Sequence, residues 1–361
     1  LELLELRAAH EPAASAPTSP ETEGASEADV PKVPAPASSS DPGAGRVVLM
    51  GQILVDRVLQ GARPIHGGGS EWARDGGTHV GGGFNALVAA RRMGAEAISL
   101  SPIGTGPHAS MIEAALAREG IVDAGPRVDG VDNGFCVAMI GHDAERTFIS
   151  TKGAETMTPE TAWADFVRTM SPGDVLYIDG YLMDHPANRE AAEAALRVLP
   201  EGVRVLLDVS PVIGIPESLP THHAIISMNS VEARAIAKQS RLDGYLPFDS
   251  LSCRLAQTLG RDTLIRLGAS GACFARSVGP DSETSAAHIP TPTIDAVDTN
   301  GAGDAHTGVL AASLALGIPL ERGLVLANCA GALASTVPGP ASCPTREDIE
   351  AAADALSESG N

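Results

Sequence analysis

Asp298-Thr299-Asn300-Gly301-Ala302-Gly303-Asp304 is the stretch on which the reading of this chain turns. Two glycines, an alanine and two carboxylates stand within seven residues, and a helical pattern from about Asp304 to Leu316 follows at once. Small residues let a ligand approach the backbone closely, and successive N–H groups in such a turn line an anion pocket. The helix behind it directs its positive dipole end and unbonded N–H groups at the same point. Asp304 then falls in the first helical turn, beside the anion. A phosphate cradle with a carboxylate at its rim is what phosphoryl transfer to a hydroxyl requires. Taken alone, the stretch reads more simply as a helix N-cap after a Gly turn, so the rest of the chain has to decide.

Outward from that turn, the element order is informative. Val47-Val48-Leu49-Met50 has the pattern of a buried strand ending at Gly51, and Ile53-Leu54-Val55 reads as its continuation to Asp56. Helices are expected over Asn85–Met93, Ala109–Glu119, Ala187–Leu199, Val231–Lys238, Leu251–Leu259 and Leu320–Ser335. Strands are expected over Ala97–Pro102, Val175–Ile178, Val203–Asp208, His223–Met228, Thr263–Leu267, Gly271–Arg276 and His288–Pro290. Alternating β and α elements predict an α/β fold with a mostly parallel sheet covered on both faces. Two parts break the alternation: a polar, Gly-rich insert at about 57–80, and a hairpin of Gly134–Ile140 and Arg146–Ser150 around His142-Asp143, within about 131–152. Together they predict a small accessory sheet, a lid over one end. Residues 1–45 are acidic and rich in Pro, Ala and Ser, and cannot bury enough apolar surface to offset their ordering entropy. They are expected to be a disordered extension ahead of one folded domain, 46–361.

Composition narrows the function classes. The 361 residues are 43% hydrophobic but only 3% aromatic, so the core is built from Ala, Val, Leu and Ile. A formal net charge of −20 argues against a nucleic-acid partner and against anionic membrane surfaces. No apolar run has the length of a membrane span. The five cysteines (Cys136, Cys253, Cys273, Cys329 and Cys343) form no C-x-x-C pair and read as free thiols in a reducing cytoplasm. No signal peptide is expected, because no basic region with an apolar core opens the chain. Walker-type, dinucleotide-binding, zincin and nucleophile-elbow motifs are absent.

Four further pieces carry chemistry, each with a plainer reading beside it. Asp56 can accept sugar hydroxyls, or it is a turn aspartate. Gly81-Gly82-Gly83-Phe84-Asn85 opens a helix and admits a compact polar ligand, or it is a flexible loop with an N-cap. Asn229 and Glu232 share one face of a first helical turn, and standing alone they read as a capping arrangement. Leu267-Gly268-Ala269-Ser270-Gly271 is a turn with amides free to meet phosphate.

In this order and spacing the pieces resemble the PfkB, or ribokinase-like, family of carbohydrate kinases, over roughly residues 46–352. Asp298 to Asp304 matches the family's C-terminal signature D-T-x-G-A-G-D. Gly81 to Gly94 looks like its N-terminal signature, Glu145-Arg146-Thr147-Phe148 like its lid strand, and Asp208 with Pro211 like its central Asp-x-x-Pro segment. The resemblance implies a three-layer αβα sandwich with a small β-sheet lid. It implies an ATP-dependent, Mg²⁺-assisted kinase of a small sugar, forming a homodimer through the lid. Asp304 would be the catalytic base, with Gly301, Ala302, Gly303 and the Asp304 amide as the anion hole. Asp56, Gly82 and Asn85 would hold the sugar. Asn229 and Glu232 would act near the triphosphate and Mg²⁺, the latter through water. Gly268, Ser270 and Gly271 would line the nucleotide, with Asn328 near the base. Asp298, the Asn300 carbonyl, Gly339 and Ser342 would match the K⁺ site found in many members. The chain departs from the family pattern at Val80, at Gly104 to Ala109 (which lacks an Asp), at Arg266 where Thr is common, and at His306 where Phe is common. Two other readings stand beside the sugar kinase: a nucleoside kinase of the same fold, and a sugar-sensing protein without catalysis.

Overall fold

Arg46–Met50 forms the first strand, β1, and its side chains part to two sides: Val47 and Leu49 enter one core, Val48 and Met50 another. A strand with apolar residues on both faces belongs at the centre of a sheet covered twice. The computed structural model describes residues 45–61, 70, 72–140, 146–278, 284–339 and 341–359. Apart from Gly45, the N-terminal extension lies outside the described residues, as do the His142-Asp143 turn, Glu145 and Pro340.

After β1 come β2 (Ile53–Gln60), β3 (Arg74–Gly82), α1 (Gly83–Arg92), β4 (Glu96–Ser99), α2 (Pro107–Glu119) and β5 (Val122–Asp123). Next are β6 (Phe135–Ile140), β7 (Arg146–Ser150), α3 (Ala162–Val167), β8 (Val175–Asp179), α4 (Pro186–Leu196) and β9 (Arg204–Asp208). Then follow β10 (Ala224–Asn229), α5 (Ser230–Gln239), α6 (Phe248–Leu259), β11 (Asp262–Arg266), β12 (Ala272–Ala275) and β13 (Ala286–Ile289). Three helices close the chain: α7 (Ala302–Ala315), α8 (Leu320–Ala334) and α9 (Arg346–Ser359).

Among the described residues the main sheet has nine strands, in the order β13-β12-β11-β10-β9-β8-β1-β4-β5. The run from β5 to β11 is parallel, and β12 and β13 join antiparallel at one edge. Helices α1, α2, α7, α8 and α9 contribute to the core on one face, and α3, α4, α5 and α6 to the core on the other. The architecture is the expected ribokinase-like α/β sandwich. The accessory sheet is also present, with four strands in the order β3-β2-β6-β7.

The expected continuation of the first strand is corrected. Main-sheet pairing of β1 ends at Met50, and Ile53–Gln60 pairs instead with β3 and β6 in the small sheet. The crossing is fixed by hydrogen bonds at the joint: the Gln52 amide donates to Asp179 Oδ2 at 2.6 Å and the Ile53 amide to Ser101 Oγ at 2.9 Å. Asp56 therefore lies within a strand of the small sheet, and not at the carboxyl end of a central strand. Of the insert expected at 57–80, the described residues 57–60 and 74–80 are strand, since β2 and β3 run antiparallel with a bulge between Arg57 and Leu59. Two helices, α3 and α9, were not anticipated.

Helices α1 and α7 cross in backbone contact. A Cβ at Gly308 of α7 would stand 2.1 Å from the Ala86 carbonyl oxygen of α1. Any side chain there would push the helices apart, so this glycine fixes the spacing of the two elements that carry Asn85 and Asp304.

Candidate active site

Five neighbouring parallel strands, β1, β8, β9, β10 and β11, end at one edge of the main sheet. They deliver Gly51, Asp179, Asp208, Asn229 and Arg266 there. Open α/β sheets bind ligands at this edge. The N-terminus of α7 arrives at the same place. Gly301 takes the N-cap position with φ 76°, a left-handed backbone that a side chain would strain. No side chain caps the helix. The Ala302 amide turns back to the Thr299 carbonyl at 3.4 Å, and the Ala305 amide begins the helical ladder at the Gly301 carbonyl, 2.8 Å away. The Gly303 and Asp304 amides thus sit at the open, positive end of a 14-residue helix.

Asp304 and Asn85, 219 residues apart, meet here: Asn85 Nδ2 donates to Asp304 Oδ2 at 3.0 Å. Asn85 is buried and its Oδ1 has no partner among the described residues, which leaves an acceptor available to a ligand. Burial pushes the Asp304 carboxyl up to about 6, with the Asn85 bond and Arg266 opposing and Asp208 adding to the rise. Asp56 comes from the small sheet, paired across to His79 on β3. It lies directly over Gly81, where a Cβ would be 1.9 Å from Asp56 Oδ2. Burial, helped by the nearby Asp304 charge and opposed by His79, raises Asp56 to about 6 as well. Gly82 ends β3 and caps α1, and the following Gly83 amide bonds the Gln52 carbonyl at 2.9 Å. Asp56, Gly82, Asn85 and Asp304 are therefore one cluster between the small sheet and the main sheet.

Arg266 closes the cluster from below. Its guanidinium grips Asp208 through two bonds, Nη1 to Oδ2 at 2.8 Å and Nη2 to Oδ1 at 2.9 Å. Nη1 also bonds Thr307 Oγ1 at 3.1 Å and reaches the Gly303 carbonyl at 3.4 Å. Glu232 Oε2 is 3.8 Å from Nη2. Burial works against the Arg266 charge, yet Asp208 and Glu232 outweigh it and hold the guanidinium above its ordinary value.

The remaining expected residues divide. Asn229 and Glu232 make a complete capping box on α5: Asn229 Oδ1 accepts from the Val231 and Glu232 amides, and Glu232 Oε2 accepts from the Asn229 amide at 2.6 Å. Gly268 to Ser270 form a 3-10 turn between β11 and β12, and His288 Nε2 sits 2.9 Å from the Ser270 carbonyl. Asn328 donates to the Ile289 and Pro290 carbonyls at 3.0 Å each, tying α8 to the end of β13. Asp298 joins two loops, accepting from the Asn300 amide at 2.9 Å and the Gly339 amide at 3.1 Å. Ser342 Oγ donates to the Ala334 carbonyl at the end of α8.

Asp179 was not anticipated. It is buried and accepts the Gln52 and Leu182 amides. Burial, reinforced by Asp208 and Asp304, raises it to about 7. Its signal is the one that marks Asp208: an acid closing a fully apolar strand, here Val175-Leu176-Tyr177-Ile178-Asp179. His306 is buried on α7, and burial, helped by the Arg266 charge and opposed by Asn328, drives it down to about 3, so it is neutral.

Residues 45–347 match the family model described as pfkB family carbohydrate kinase. The chain is 30% identical over 310 residues to the uncharacterized sugar kinase YegV of Escherichia coli, covering 84% of this chain and 92% of that protein. It is 28% identical over 276 residues to the aminoimidazole riboside kinase of Salmonella typhimurium, covering 72% and 82%. Its fold matches that of Arabidopsis thaliana ribokinase complexed with ribose and ATP, with a TM-score of 0.67 at 24% identity, covering 86% and 99%.

Proposed function

The chain belongs to the pfkB family of carbohydrate kinases, and from that premise we propose that it moves the γ-phosphoryl group of ATP to a hydroxyl of a small sugar. Asp304 is the general base, and the amides of Gly301, Ala302, Gly303 and Asp304 are the anion hole. The observation that carries this is the uncapped N-terminus of α7 with the Asp304 carboxylate beside it, held by Asn85.

The acceptor O–H passes its proton to Asp304 as the alcohol oxygen bonds the γ-phosphorus. The bond from that phosphorus to the β,γ-bridging oxygen breaks, and ADP leaves. A base titrating near 6 is ionised at neutral pH yet still takes a proton readily, which is the useful range. The Gly303 and Asp304 N–H groups meet the charge on the transferring oxygens without reorganisation. Asp56, Gly82 and Asn85 hold the sugar, and the small sheet that carries Asp56 shields the reacting atoms from water. The Gly268–Gly271 turn, Asn229 and Asn328 line the nucleotide.

Among the described residues no three His, Cys, Asp or Glu side chains converge on a metal. Glu232, buried at the sheet edge, would hold through water a Mg²⁺ brought in with ATP, and the ion would supply positive charge to the phosphates. Asp298 and the Asn300 carbonyl, with Gly339 and Ser342 on the facing loop, offer hard oxygens to a monovalent cation such as K⁺. The five free thiols support a reducing compartment, and no described helix is long and apolar enough to cross a membrane.

The test is ATP turnover against a panel of pentoses, hexoses, ketoses and nucleosides, repeated with Asp304→Asn. Sugar-stimulated turnover that falls by about two to four decades in the variant, with ATP binding retained, is the expected result. Sugar-dependent thermal protection without turnover would make the chain a sensor, and preference for nucleosides would move it to the nucleoside kinases.

A further inference from the structure

We propose that Arg266 is a positioning residue for phosphoryl transfer: clamped on Asp208, it holds the first two turns of α7 and so sets where the anion-hole amides and the Asp304 carboxylate stand. This rests on the reading of Asp304 and the α7 N-terminus given above.

Three observations converge on it. The first is the pair of hydrogen bonds from the guanidinium to Asp208, a fork-to-fork contact that fixes orientation as well as distance. Asp208 ends β9 and Arg266 ends β11, so the pair is rooted in two strands of the main sheet, one on each side of β10. The second is the reach to α7. Arg266 Nη1 touches the Gly303 carbonyl and Thr307 Oγ1, two points one helical turn apart, and Thr307 Oγ1 also donates to Asp208 Oδ2 at 3.0 Å. The helix is thus held on one face at residues 303 and 307, which bracket Asp304. The third is room. A Cβ at Gly303 would lie 3.4 Å from Nη1, so an alanine would just touch and a larger side chain would displace the guanidinium. Gly303 makes space for the clamp, in addition to exposing an amide.

Charge alone does not require this design. A lysine at 266 would bring the same charge with no planar fork, and could not hold a carboxylate at two points while reaching α7. The geometry serves placement. A helix end shifted by about 1 Å misaligns donors that must meet the transferring oxygens, and such a displacement costs on the order of 10²-fold in rate.

The test uses the full chain with MgATP and the panel sugar of highest turnover. Arg266→Lys keeps the charge and loses the fork. The double variant Arg266→Met with Asp208→Asn removes both charges, so that no carboxylate is left buried without a partner. Circular dichroism and a melt establish that each is folded. The expected result is a fall in kcat of about 10²-fold in both, with the sugar KM within about threefold of wild type, because an interaction realised in the transition state is lost and ground-state sugar binding is not. A folded variant of either kind with kcat within threefold of wild type, or a loss that falls in the sugar KM, overturns the proposal. Asp304→Asn run alongside separates the two readings. Full turnover there removes the base assignment whatever Arg266 does, whereas an inactive Asp304→Asn with unimpaired Arg266 variants removes only the clamp.

Discussion

At the scale of single residues, the candidate site concentrates carboxylates that resist ionisation. Asp304 and Asp56 are raised to about 6 and Asp179 to about 7, each first by burial. Facing Asp304 are Asp208, Asp179, Asp56, Tyr177 and Tyr181, with Arg266 as the opposing cation. A base must be ionised to act, so kcat is expected to fall as pH drops through about 6, and a pH–rate profile reads this directly. The same shift has a stability consequence of opposite sense. The folded state holds the Asp304 proton more tightly than the unfolded chain does, so its contribution is fully present below 3.8 and is lost as pH rises through about 6. That displacement is about 1 to 3 kcal/mol at neutral pH, the lower figure allowing for solvent at the site. Asp304→Asn, which can still accept from Asn85, is therefore expected to melt a few degrees higher than wild type at pH 8 and level with it near pH 4. An equal melt at both pH values would show that Asp304 is not held under this tension.

At the scale of elements, α5 shows how one pair of residues can serve two ends. The Asn229–Glu232 box satisfies amides at the start of the helix and stands at the sheet edge where nucleotide is proposed to bind. Asn229→Ala is expected to cost about 1 kcal/mol, the usual worth of such a cap, seen as a lower melting temperature. If the ATP KM stays at the wild-type value in that variant, the cap is all that Asn229 supplies. The capping box was legible because its signature is local, four residues from Asn229 to Glu232. So was the α7 turn, where two glycines, an acid and a helical pattern sit together. The passage of β2 into the second sheet was not. Only two residues, Gly51 and Gln52, separate two apolar runs, and the bonds that divert the chain come from Asp179 and Ser101, far away in sequence. Helix α9 escaped because its buried face is small, with Ile349 and Ala353 among acids and alanines. Arg266 read as a departure from a pattern, since the Asp208 it grips is 58 residues away and no periodicity links them.

At the scale of the whole molecule there are two sheets: the nine-stranded one ends at the edge proposed to hold phosphate, and the four-stranded one carries Asp56, the proposed sugar contact. The small sheet has a bare side. Its edge strand β7 exposes Phe148 and Ile149, 58% and 59% open, and consecutive residues on a strand point to opposite faces. Two such side chains on a sheet edge favour covering by another protein surface. We expect that surface to be the same sheet of a second copy, since an isologous pairing buries both edges at once. On the proposed reading the pairing would also bear on the chemistry, because a small sheet steadied by a second copy would hold Asp56 in place. Replacing Phe148 and Ile149 together by Asp is then expected to halve the mass measured by light scattering. The sugar KM should rise more than the ATP KM, since the small sheet carries Asp56, the proposed sugar contact, and the nucleotide turn does not. Retention of the wild-type mass in that double variant would locate the assembly surface elsewhere. A monomer with unchanged sugar KM would show that the lid needs no partner.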